Sequence, residues 1–119
     1  MQLNQQQIEA LVKLMIMAEY QDNRLSHVET QDFKKRIEDF SWKSPIGMSI
    51  FINTAISEIR DATSNEAVKV EFLKNQAGVF ETDESRKFVL DQISDLVKSD
   101  GVEQVESSFL LQLRSCLGI

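Results

Sequence analysis

Residues 89–119 read VLDQISDLVKSDGVEQVESSFLLQLRSCLGI. Val89, Ile93, Leu96 and Val97 recur at the spacing of one helix face, and the pattern breaks at Asp100-Gly101. It resumes with Val105, Phe109, Leu113, Cys116 and Leu117. The stretch therefore predicts two amphipathic helices joined by an acidic turn, with Gly101 supplying the left-handed exit that helix ends favour. The same device stands near the other end, where residues 22–29 read DNRLSHVE. Leu11, Met15 and Ala18 precede Asp22 at the offsets by which Val89, Ile93 and Leu96 precede Asp100. Asn23 takes the place of Gly101, and an apolar residue follows each glutamate, Phe33 after Glu29 and Leu110 after Glu106.

Between these two units every long segment keeps helical periodicity, and none alternates over enough residues to argue for a strand. A first helix is predicted from about Asn4 to Tyr20, with Ile8, Leu11, Met15 and Ala18 on one face. A second starts at Ser26, where Ser26–Glu29 has the form of a capping box. Its narrow stripe of Phe33, Ile37 and Phe40 places it on the outside. Ser44-Pro45 predicts the start of a third helix, running to about Asp61. Apolar residues nearly surround the first half of that helix, which predicts that it is the buried centre. Thr63–Glu66 is read as a capping box for a fourth helix, with Val70, Leu73, Ala77 and Phe80 inward. Asp83 opens a fifth. The sum is an all-α fold, a compact bundle of about six helices forming one domain over residues 1–119.

A chain of 119 residues, 42% hydrophobic, can bury a core without staples. The single cysteine, Cys116, can form no internal disulfide, which fits a reducing compartment. No basic region followed by an apolar core marks a secretory signal. The most apolar run, IGMSIFI at 46–52, is far short of the roughly 17–25 residues a membrane span needs. The expectation is a cytoplasmic protein without a membrane span, peripheral association being left open. Nineteen acidic against thirteen basic residues give a net charge of −6. That balance argues against nucleic acid and for cations or basic protein partners. The one basic cluster, Lys34-Lys35-Arg36, shares its helix with Glu38 and Asp39 and reads as a solvated face.

An apolar helix, Asp-Gly, a glutamate beyond it, and a helix ending in Leu-Gly-Ile resemble the TerB-like family of tellurite-resistance proteins. Residues 89–119 carry most of the likeness, and MAEYQDNRLSHVETQDF at 17–33 is the weaker copy. The resemblance implies two related helix–acidic turn–helix halves. It further implies a non-enzymatic role in stress response and protein assembly, through a protein partner. Finally, it implies a divalent-cation site, for calcium or magnesium, at Asp22, Glu29, Asp100 and Glu106. Two departures stand against the family pattern: Asn23 replaces a glycine, and Glu106 comes one residue early. One residue turns a helical side chain by about 100 degrees.

Read from the residues alone, the turns have a leading second account. Glu29 is the return half of the Ser26 capping box, and acids at helix starts are favoured by the dipole. One aspartate and one glutamate per turn fall short of the six to eight oxygens of calcium, and the spacing is not that of an EF-hand. His27 has no second histidine or cysteine nearby for zinc. Cys116 reads as a small core residue rather than a nucleophile. Phe40 and Trp42 either plug the bundle's end or form an exposed anchor, and the plug is favoured. The functional alternatives are a small acid/base hydrolase using paired carboxylates, or a purely structural homodimer through the outer helices.

Overall fold

An asparagine and a glutamine start the first helix. In the computed structural model, which describes residues 3–21, 31–40, 42–99 and 108–119, α1 runs Gln5–Gln21. Asn4 Oδ1 accepts from the Gln7 amide at 2.8 Å, and Gln7 Oε1 accepts from the Asn4 amide at 3.1 Å. This reciprocal pair satisfies donors that a helix start leaves open. Then follow α2 (Gln31–Glu38), α3 (Met48–Thr63), α4 (Glu66–Ala77), α5 (Asp83–Ser99) and α6 (Ser108–Leu117). The protein is an all-α helical bundle, with no strand among the described residues. The expected start of the second helix at Ser26, with its capping box, lies outside the described residues.

Two predicted starts are corrected. The third helix begins at Met48 rather than Pro45, with Gly47 as an N-cap that offers no side-chain bond. Ser44 is spent locally: its Oγ accepts from the Ile46 amide at 3.1 Å, while Trp42 Nε1 donates to the Ile46 carbonyl at 3.0 Å. Residues 44–46 thus form a turn that holds the indole, and the helix waits until it is complete. The fourth helix is capped by Asn65, not Thr63. Asn65 Oδ1 accepts from the amides of Ala67 at 2.9 Å and Val68 at 3.2 Å. Thr63 is the last residue of α3, and its hydroxyl donates back to the Ile59 carbonyl at 2.8 Å. At α5 the expected start at Asp83 holds, and the cap is Thr82. The Ser85 amide donates to its Oγ1 at 3.0 Å, and Ser85 Oγ accepts from the Thr82 amide at 3.3 Å. Gly118, at φ +75°, ends α6 in the left-handed region that glycine enters freely. Its amide donates to the Arg114 carbonyl at 2.9 Å.

The larger correction concerns the centre. The buried central helix is α1, not α3. Leu11, Val12, Leu14, Met15, Ile16 and Met17 are all at 0% exposure, and α3, α4, α5 and α6 pack around them. The run from Leu11 to Ala18 is interrupted only by Lys13, so it presents apolar atoms in every direction and demands cover on all sides. Helix α3 buries a single row, Ile52, Ala55, Ile59 and Ala62. Ile56 is half-buried beside that row, while Ile50 points away at 64% exposure, as does Ile46 in the preceding turn at 52%. The other predicted rows are buried in part, with Val70 on α4 and Cys116 on α6 only half-buried. Leu73, Ala77 and Phe80 are buried at α4, Val89, Ile93 and Leu96 on α5, and Phe109, Leu113 and Leu117 on α6. Phe33 and Ile37 sink the inner face of α2.

Stability should follow this arrangement. Met15→Ala is expected to cost about 2–5 kcal/mol through cavity formation. Ile50→Ala is expected to stay within about 0.5 kcal/mol, as for an exposed site. Asn65→Ala should cost about 1 kcal/mol through the lost cap. Urea denaturation followed by circular dichroism ranks the three, and an Ile50 variant weaker than the Met15 variant would return α3 to the centre.

Candidate functional site

The four carboxylates expected at the acidic turns, Asp22, Glu29, Asp100 and Glu106, lie outside the described residues, as does His27. What is described is the pair of helices that lead into the turns. Asp22 is the next residue after α1, and Asp100 the next after α5. Those helices are neighbours in the bundle and set out from a common end. Gln7, in the first turn of α1, donates through Nε2 to the Val79 carbonyl at 3.2 Å. Next door, the Phe80 carbonyl accepts from Arg86 Nε, in the first turn of α5, at 2.9 Å. Each helix has 17 residues, about 25 Å of rise. The fold measures 33 × 31 × 27 Å, so each helix crosses most of it.

That starting end is fastened further. The Lys43 amide donates to Gln5 Oε1 at 2.7 Å. The ring of Phe40 meets Phe88 edge-on at 6.1 Å, and Trp42 lies against Phe51 at 5.0 Å between centroids. Phe40 and Trp42 are both half-buried against the core, so these rings close the bundle's end. Lys13 Nζ sits 5.9 Å from the Phe51 ring centroid and pairs with Glu58 at 2.9 Å.

One carboxylate escaped the sequence reading. Glu19, in the last turn of α1 and three residues before Asp22, is only 2% exposed. The available signal was its register: it follows Met15 by four positions and Leu11 by eight, on the side of α1 that packs inward. Among the described residues, Glu19 and Ser85 are the buried polar side chains, and Ser85 is accounted for by its cap. No group of three or more histidines, cysteines or acids among the described residues is arranged to hold a metal ion.

Cys116 sits half-buried on α6. Burial raises its thiol above the ordinary value, with the positive charge of Lys74 pulling the other way. A thiol held in its protonated form is a poor nucleophile. The basic run of α2 ends that helix, where Lys35 and Arg36 in the last turn meet the negative end of the dipole. Lys35 is exposed and Lys34 half-buried, with Glu38 and Asp39 exposed beside them. No described helix is long and apolar enough to cross a membrane. No protein-family model, curated protein or solved structure matches the chain.

The raised thiol has a measurable sign. Its contribution to stability is present below the unfolded thiol value and is lost as pH rises through the folded one. At mildly alkaline pH, iodoacetamide should label Cys116 more slowly in the folded chain than in urea, as read by intact mass. Equal rates would show that the thiol is neither shielded nor held protonated.

Proposed function

We propose that this protein is a non-enzymatic helical binding module of the TerB-like kind, docking a protein partner under the control of a divalent cation. The cation, calcium or magnesium, is taken by carboxylates of the two acidic turns, Asp22 and Glu29 with Asp100 and Glu106. The observation that carries this reading is the common starting end and side-by-side packing of α1 and α5. Two helices with a shared origin and equal length head for the far side of the bundle, and each is followed at once by an aspartate. One turn alone offers too few oxygens, whereas four pooled carboxylates, with backbone carbonyls and water, reach the coordination calcium prefers. The net charge of −6 favours the same ligand class over phosphate. A partner of basic character fits the same surface field, and a role in stress response follows from the resemblance.

The reading is tested by titrating calcium and magnesium while following thermal unfolding and amide shifts. A ligand at a hundredfold excess over its Kd should stabilise the fold by about 2.7 kcal/mol, visible as a raised melting temperature. Shift changes are expected to gather at residues 22–29 and 100–106, and Asp100→Ala should abolish the rise. Millimolar cation without effect would remove the cation from the function.

A further inference from the structure

We draw no further inference here: the strongest candidate, the buried carboxylate of Glu19 in the last turn of α1, is a single acidic side chain beside a turn that lies outside the described residues, and nothing among the described residues points to a ligand for it.

Discussion

A helix that is apolar on every side has one place to go. From Leu11 to Ala18 helix α1 has only Lys13 to offer to water, so its surface must be covered from several directions at once. Four helices do the covering, and their inward rows are the apolar stripes that pack on α1. Small residues take part in these rows, with Ala55 buried on α3 and Ala77 on α4. The architecture is thus less a bundle of equal partners than a sleeve around one rod.

That asymmetry explains which parts of the fold the amino-acid pattern revealed. Helices α5 and α6 each carry one apolar stripe on a polar background, and a single stripe has only one side to bury; on α4 apolar residues also lie off the buried row, Val68 being exposed. Their inward residues were legible for that reason. The centre was not. Both α1 and α3 are rich in apolar residues, and richness does not say which side has cover. On α3 the decisive fact is tertiary: only Ile52, Ala55, Ile59 and Ala62 find cover, and Ile50 is left 64% exposed. Helix starts failed for a second reason. Ser44 and Thr63 satisfy the usual signals, yet each hydroxyl finds a local bond that competes with capping, and Gly47 and Asn65 inherit the positions.

Of the candidate site, only the helices that lead into it can be compared with the pattern, because its four carboxylates lie outside the described residues. The repeat of apolar offsets before Asp22 and Asp100 corresponds to two helices of equal length that lie side by side. Their shared origin could not be read from the pattern, because it depends on contacts between residues far apart, such as Gln7 with Val79. Glu19 shows the opposite failure. A glutamate among alanine, tyrosine and glutamine suggests a solvated helix end, although its register with Leu11 and Met15 already placed it on the buried side, where it is 2% exposed. Cys116, expected inside with its apolar neighbours on α6, is half-buried.

The order of the chain gives α1 a difficulty in time. It precedes every helix that encloses it, and its first turn is fastened by Gln5 to a residue 38 positions later and by Gln7 to one 72 positions later. During synthesis this apolar segment therefore emerges before any of the helices that cover it, with α3 the first to follow among those packed around it. Loops that long close slowly, and an uncovered apolar rod invites wrong contacts in the interval. Helices α3, α4 and α5 supply most of the cover and α6 adds the remainder, so the burial of the first helix is shared among elements that all follow it.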